Sequence, residues 1–320
     1  REASLRGILV KDAGSLELAG KTVTCIFDKT GTLTLGKPVV DTVTPEKEMT
    51  SDELVRIAAS VETPSEHPVA SAIVNEANKR KLEVPTVVNF QATPGSGVAG
   101  EVDGRKVAVL RDDAATCRVE VNDALVGRIS VTDEIRKDAK NTVTQLQALG
   151  IAVHMLSGDR MENALTVAKK VGIKPEHVHA EASPSEKTEI VASLPRPSMM
   201  VGDGINDAAA LAASDVGVAI ASGTNVAMES ASVIIPSDSI EATVETVFIA
   251  RDTLKTIKQN LVFAFMYNVA AIPLAAFGLL GPHGPIIAAA AMGLSDMTVI
   301  GNAILLKRKL RRRRISRNVQ

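Results

Sequence analysis

The sequence predicts an α/β protein: a doubly wound parallel sheet, interrupted by an inserted α+β domain and followed by a two-helix hairpin. Three observations predict it. Short apolar runs at 23–27, 151–156 and 198–201 lead into Asp28, Ser157-Gly158-Asp159 and Gly202-Asp203-Gly204. Helical patterns such as 135–149 and 161–171 lie between them, and strands alternating with helices make a parallel sheet. Residues 44–123, between the first run and the second, carry their own helix and strand signals.

The elements follow in order. Residues 1–18 form a polar, helix-like stretch that opens abruptly, as though something upstream had been removed, so 1–20 reads as a linker. The sheet domain takes 21–43 and 124–245. Within the insertion, 51–59 and 69–79 read as helices, and 87–90, 97–102 and 106–110 as extended segments. Residues 246–306 hold the hairpin and 307–320 a basic tail. Everything up to about residue 255 reads as soluble and cytoplasmic.

Composition narrows the class. With 320 residues, 45% apolar and 23% charged, the chain holds about two domains and is neither disordered nor collagen-like. Two cysteines, Cys25 and Cys117, make no disulfide framework and suit a reducing compartment. Six Phe, one Tyr and no Trp leave too few rings for a single-strand nucleic-acid platform. The net charge of −1 conceals a basic tail running from Lys307 to Arg317 on an acidic body. Such a tail is a nucleic-acid arm or a membrane-side anchor, and the residues before it decide.

Residues 261–280 contain no charge and 286–306 contain one, Asp296. About 20 apolar residues span a bilayer core, so both segments are expected to cross it. Gly281-Pro282-His283-Gly284-Pro285 makes the turn. Lys255 and Lys258 before the first span, and the tail after the second, place both outer ends in the cytoplasm. The competing reading is a hairpin buried in a large soluble protein. With spans in the bilayer, the tail anchors at the lipid surface and no nucleic-acid partner is expected.

In doubly wound sheets the site lies beyond the carboxyl ends of the strands. That rule gathers Asp28, Ser157, Asp159 and Asp203 at one edge. Acids so placed repel one another unless a divalent cation sits among them, and oxygen ligands beside phosphate chemistry indicate Mg²⁺. Asp28 heads the sharpest signal, Asp28-Lys29-Thr30-Gly31-Thr32-Leu33-Thr34. A strand-end carboxylate beside a metal and a loop of amide donors is a phosphoryl acceptor.

These residues carry a resemblance. DKTGTLT at Asp28, GDGINDAAAL at 202–211 and SGD at 157–159 resemble the P-type ATPases, membrane pumps with a haloacid dehalogenase-like catalytic domain. The resemblance implies that Asp28 is phosphorylated within the Lys29, Thr30 and Thr32 loop. It implies that Asp28, the Thr30 carbonyl and Asp203 hold Mg²⁺, and that Lys187 neutralises the transferring phosphoryl group. Ser157 and Gly158, followed by Asp159, are expected to hold phosphoryl oxygens, Ser157 standing where the family usually has Thr. Asn206 and Asp207 are expected to support the phosphate and the metal shell. Related phosphohydrolases carry a second Asp two positions after the first. Thr30 stands there, so the aspartyl phosphate is expected to persist.

In the insertion, Ser65-Glu66-His67-Pro68 resembles the nucleotide-domain motif of the heavy-metal subgroup. The resemblance implies an ATP pocket of His67 against the adenine, with Glu62, Gly95 and Gly97. After residues 107–110 the family pattern of Gly-Asn and a helical pair is absent, and roughly two dozen residues are missing before the return strand at 117–121. This shortened domain is expected to bind nucleotide more weakly or in a reshaped pocket.

Polar or thioether groups at membrane mid-depth are expensive unless used. Tyr267-Asn268 in one span and Met292-x-x-Ser295 in the next resemble the copper(I) branch of these pumps, and a thioether suits Cu⁺ or Ag⁺. Asp296 replaces a second Ser and leaves Zn²⁺ or another divalent ion open. The expected activity is ATP-driven heavy-metal transport by a multi-pass cell-membrane protein, with the catalytic domains and tail cytoplasmic. No Thr-Gly-Glu actuator or Cys-Pro-Cys helix occurs in the sequence, so the chain is expected to be one half of a longer pump or a truncated product. A membrane-anchored phosphatase and a silent remnant are the alternatives.

Overall fold

A computed structural model describes the chain apart from residues 1–2, 47–48, 94, 113, 205–206, 222–223, 278–280 and 318–320. It also leaves out the side chains of 267–268, 270–271, 275–276, 282, 285, 288, 291 and 312–317. The chain divides into two units, Arg1–Thr32 with Asp138–Gln320, and Leu33–Lys137. The boundaries expected at 43 and 124 therefore move outward. The reason is pairing: the segments flanking the insertion join each other as strands.

The first unit opens with β1 (Leu9–Val10) and α1 (Ala13–Lys21). Asp12 caps α1 by accepting from the Ser15 amide at 2.7 Å. The expected helix over 1–18 is thus confined to its second half. β2 (Thr24–Asp28) follows, with every side chain buried. A strand covered on both faces reads as a continuous apolar run, which is why this segment was legible.

The second unit contains β3 (Thr34–Pro45), α2 (Ser51–Glu62), α3 (Pro68–Lys79), β4 (Val88–Thr93), β5 (Gly97–Val102), β6 (Arg105–Arg111), β7 (Cys117–Val121) and β8 (Ala124–Ile135). The strands form one antiparallel sheet in the order β3-β8-β7-β6-β5-β4. Thr50 caps α2, and His67 caps α3 with Pro68 at its first position. Leu54, Ile57, Ala58 and Val61 recur at helical spacing on α2 and pack with Ile73, Val107, Val119 and Ile129. Asp103 and Gly104, with φ of 51° and 73°, turn β5 into β6. Consecutive left-handed residues match the twist of a hairpin, and Asp-Gly supplies them. The helix expected over 135–149 begins only at Ala139, because Ile135 closes β8 opposite Thr34.

The chain returns to the first unit through α4 (Ala139–Ala148), β9 (Ala152–Leu156), α5 (Met161–Val171), β10 (Val178–His179), α6 (Pro184–Ser193), β11 (Ser198–Gly202), α7 (Ala208–Ala213), β12 (Val216–Ile220), α8 (Asn225–Ser230) and β13 (Val233–Ile235). The seven-stranded sheet runs β1-β13-β12-β11-β2-β9-β10, parallel throughout except for β1 against β13. β2 lies between β11 and β9, so the loops after three parallel strands emerge side by side.

α9 (Ala242–Ala276) and α10 (Gly284–Arg317) close the first unit. Val244, Val247 and Ala250 of α9 are buried, and Leu254 lies against Gly20 of α1, where an added Cβ would come within 2.6 Å. Asn302 donates to Asn260 at 2.8 Å and Lys309 pairs with Asp252 at 2.6 Å, joining the two helices. The expected spans 261–280 and 286–306 fall on these two helices, with 278–280 outside the described residues. Among the described residues, no helix is long and apolar enough to cross a membrane. Each helix runs well past the apolar stretch into charged turns, at Arg251–Lys258 (residues 251–258) in α9 and from Lys307 onward in α10.

Leu54 is fully buried and also fills the space over Gly127. Leu54→Ala leaves a cavity with little to collapse into it, so it should cost about 2–5 kcal/mol. Urea denaturation followed by circular dichroism measures the loss.

Candidate active site

Asp28 ends β2 and is 4% exposed. The loop that follows turns at Thr30 (φ −80°, ψ 126°) and at Gly31 (φ 76°). A Cβ on Gly31 would lie 2.0 Å from Asp203 Oδ2, so only glycine lets this loop pass the second carboxylate. Thr32 is buried, and its hydroxyl lacks a hydrogen-bond partner among the described residues. A buried hydroxyl left open in this way is suited to a ligand oxygen.

α6 delivers the cation. Ser183 and Glu186 form a capping box, and Pro184 occupies the first helical position. That start fixes the first turn and buries Lys187 just after it. Lys187 Nζ donates to Asp28 Oδ1 at 2.5 Å and to Asp207 Oδ1 at 2.9 Å. Asp207 itself sits against Gly202, where a Cβ would come within 2.9 Å. Gly31 and Gly202 thus belong to the site, and sequence reasoning did not single them out. Gly202 carried a signal, since it precedes the strand-end carboxylate Asp203; Gly31 meets Asp203 only in the fold.

From β9, the Ser157 hydroxyl accepts from the Asp159 amide at 3.0 Å, and Asp159 pairs with Lys29 at 2.7 Å. Backbone bonds from the Ser157 amide to His179 and from the Ala182 amide to Ser157 hold the Ser157-Gly158 loop in place. Asp28, Lys29, Thr30, Thr32, Ser157, Gly158, Asp159, Lys187, Asp203 and Asp207 are therefore carried by loops at one sheet edge and the helix beside it. Asn206 lies outside the described residues.

Carboxylate oxygens of Asp28, Asp203 and Asp207 lie within 4.8 Å of one another. Three hard oxygen donors around one point fit Mg²⁺ better than a soft or nitrogen-seeking ion. Asp203 and Asp207 were expected in different roles; the geometry makes both available to the same ion. Burial, and then the Asp207 charge, push the Asp28 carboxyl up to about 7 against the pull of Lys187. Burial works to lower the Lys187 ammonium, but Asp28 and Asp207 outweigh it and hold it above the usual lysine range.

The second unit has a separate cleft of about 450 Å³. Glu62, His67, Gly95 and Gly97 all line it, with Val98, Val109, Leu110 and Cys117 supplying apolar walls. Gly97 has φ 144°, and a Cβ there would lie 2.1 Å from the Val109 carbonyl oxygen. His67 Nδ1 accepts from the Val69 amide at 3.2 Å, which leaves Nε2–H as a donor. Burial raises the Glu62 carboxyl to about 6 and the Cys117 thiol to about 12, so this thiol is not nucleophilic at neutral pH. β6 joins β7 through a short loop in which Asp112 accepts from the Ala114 and Ala115 amides.

Residues 22–215, more than half the chain, match the family model for haloacid dehalogenase-like hydrolases. The chain belongs to that family. The chain is also 40% identical over 329 positions to the probable copper-exporting P-type ATPase V of Mycobacterium tuberculosis H37Rv, covering 94% of this chain and 42% of that one. A zinc-transporting PIB-type ATPase solved in its E2.Pi state superposes with a TM-score of 0.86 at 34% identity, over 95% of this chain and 53% of that one. The catalytic domain of the CPx-ATPase CopB-B, solved in a study of nucleotide binding, matches with a TM-score of 0.64 at 30% identity, over 76% and 96%. The chain therefore spans less than half the length of the curated relative and about half of the zinc-transporting structure.

The raised Asp28 pKa has a sign. Its folded value of about 7 exceeds the unfolded value of 3.8, so without metal the folded state binds the extra proton and loses stability as pH rises from about 4 to 7. In excess chelator, Asp28→Asn should melt higher than the parent at pH 7.5, the gap closing toward pH 4 as the parent carboxyl protonates. Scanning calorimetry across that range measures it. Lys187→Met removes the shared cation from three close carboxylates, and should lower the melting temperature at pH 7.5 with Mg²⁺ restoring part of the loss.

Proposed function

We propose that the chain is the catalytic part and a helical hairpin of a heavy-metal P-type ATPase, working through a phosphorylated Asp28. One observation carries the reading: Asp28 meets a buried Lys187 and two further carboxylates at a strand end, with Thr30 where a water-activating Asp would stand. In the proposed step an Asp28 carboxylate oxygen bonds to the γ-phosphorus of ATP while the bond to the β,γ-bridging oxygen breaks and ADP leaves. Lys187 and the open Thr32 hydroxyl meet the transferring oxygens, and Ser157 and Gly158 receive them from the β9 side. Asp28, Asp203, Asp207 and the Thr30 carbonyl would hold Mg²⁺, which supplies charge neutralisation to the phosphoryl group.

ATP is proposed to enter the cleft of the second unit, with adenine beside His67 and Gly97 bringing the backbone close. The short loop from β6 to β7 supports weaker nucleotide binding than in a relative with a longer connection. Copper(I) or silver(I) export is the proposed cargo function, supported by Met292 and Ser295 on α10 and by the copper-exporting relative. Asp296 and the zinc-transporting structure favour zinc as the second reading. Met292 and Asp296 are exposed and Ser295 is half-buried, whereas the side chains of Tyr267 and Asn268 lie outside the described residues.

The hairpin is proposed to lie in a bilayer as part of a multi-pass cell-membrane protein. Support comes from apolar side chains left in the open along it, Leu261, Phe265, Val269, Ile272, Ile286, Met292, Met297 and Ile300 among them. The catalytic domains and the basic tail are then cytoplasmic, the tail lying against lipid headgroups.

Incubation with γ-labelled ATP and Mg²⁺ should place acid-stable, hydroxylamine-labile label on the chain, and Asp28→Asn should abolish it. No label on the parent protein, or equal label on the variant, overturns the phosphoenzyme. In the full-length pump, Cu⁺ should stimulate ATP hydrolysis more than Zn²⁺, and Met292→Leu should remove that preference.

A further inference from the structure

Arg111 ends β6 and lines the cleft of the second unit, a residue that sequence reasoning did not single out. Apart from the His67 imidazole, the ionisable groups of Asp, Glu, Lys or Arg among the described lining residues are Glu62 and Arg111. Arg111 is therefore the one guanidinium or ammonium group on those described walls. A cleft with apolar walls, one acid and one base sorts its ligands by charge as well as by shape.

Side chains alternate along a strand, so Val107, Val109 and Arg111 share one face of the sheet. Val107 and Val109 are buried there in the core that α2 and α3 complete. Arg111 lies one step further along the same face and is exposed, beside the end of α2 at Glu62 and the start of α3 after His67. Its backbone is pinned on both sides. The Arg111 amide donates to the Ser96 carbonyl at 2.8 Å, and its carbonyl accepts from Arg118 at 3.2 Å. The neighbouring Asp112 is occupied elsewhere, accepting from the Ala114 and Ala115 amides and pairing with Arg128 at 3.4 Å. The Arg111 guanidinium itself makes no hydrogen bond or ion pair among the described residues.

We infer that Arg111 holds the phosphate chain of a nucleoside di- or triphosphate in this cleft, its planar fork donating to phosphate oxygens. The base of such a ligand is flat and partly apolar, which suits the walls of Val98, Val109 and Cys117. Its phosphates keep their water and leave by the open end, where Arg111 stands with its donors unspent. The inference rests on the proposed ATP cleft and adds what that reading lacks, a positive charge for the phosphates. Without Arg111, the remaining acid of the described walls, Glu62, would repel them. The cleft is then selective for phosphorylated nucleosides over the bare nucleoside, by an attraction that salt screens.

The test is calorimetric titration of the full chain carrying Asp28→Asn, in excess chelator, with ADP and with adenosine. ADP should bind more tightly than adenosine. Arg111→Gln should weaken ADP about three- to tenfold, the range for an exposed charge-assisted contact, and leave adenosine unchanged. Arg111→Lys, which keeps the charge but not the fork, should recover part of the loss. Added salt should weaken ADP less in Arg111→Gln than in the parent. Unchanged adenosine binding also reports that the cleft of the variant is intact. Equal affinity of the parent for both probes, or an Arg111→Gln loss that is absent or equal for both, overturns the role of Arg111 and leaves the cleft standing. Binding of neither probe overturns the cleft, and this inference with it.

Discussion

The buried ammonium of Lys187 is the contact on which the catalytic edge depends. Asp28, Asp203 and Asp207 bring three carboxylates into one small space, and burial removes the water that would screen them. A lysine bonded to two of them offsets part of that repulsion, and removing one partner from such a buried pair is strongly destabilising. The arrangement remains short of positive charge. Such a cluster suits a divalent cation, and the repulsion that destabilises it is what the proposed phosphoryl transfer would use.

Everything around this cluster serves to hold it. Parallel pairing places β2 between β9 and β11, which aligns the loops after all three. The capping box of α6 fixes where Lys187 enters, and Gly31 and Gly202 leave room for carboxylates where a methyl group would collide. These are steric and geometric requirements rather than sources of binding energy. A Cβ at either glycine would displace the carboxylate beside it, Asp203 at Gly31 and Asp207 at Gly202.

The second unit solves a different problem by a different route. Its antiparallel sheet buries one face under α2 and α3 and leaves a cleft whose walls are mostly apolar, with few polar groups. Such a cleft suits a flat, partly apolar ligand oriented by one or two donors, such as the Nε2–H of His67. At the far end of the chain, α9 and α10 keep apolar side chains in the open while pairing through Asn260, Asn302, Asp252 and Lys309.

The chain's local pattern was enough for β2, β9 and β11 and for the acids that follow them, because fully buried strands must be apolar and a strand-end carboxylate stands out against them. It was enough for α5 and β5, and it named Glu62, His67, Gly95 and Gly97 among the residues that line the second cleft. Local pattern did not reveal β3 and β8, which are half-exposed, and whose pairing moved the domain boundaries. It did not reveal the short strands β1, β10, β12 and β13, nor that Lys187 would be shared with Asp207. It also marked apolar spans without showing that their helices continue into charged turns. The contact of His154 on β9 with His179 on β10 had no sequence signal at all, since residues 25 positions apart become neighbours only when β10 pairs with β9. Residue type and spacing specify which groups are available; which of them touch is decided by strand order, and strand order is set by long-range pairing that no local window contains.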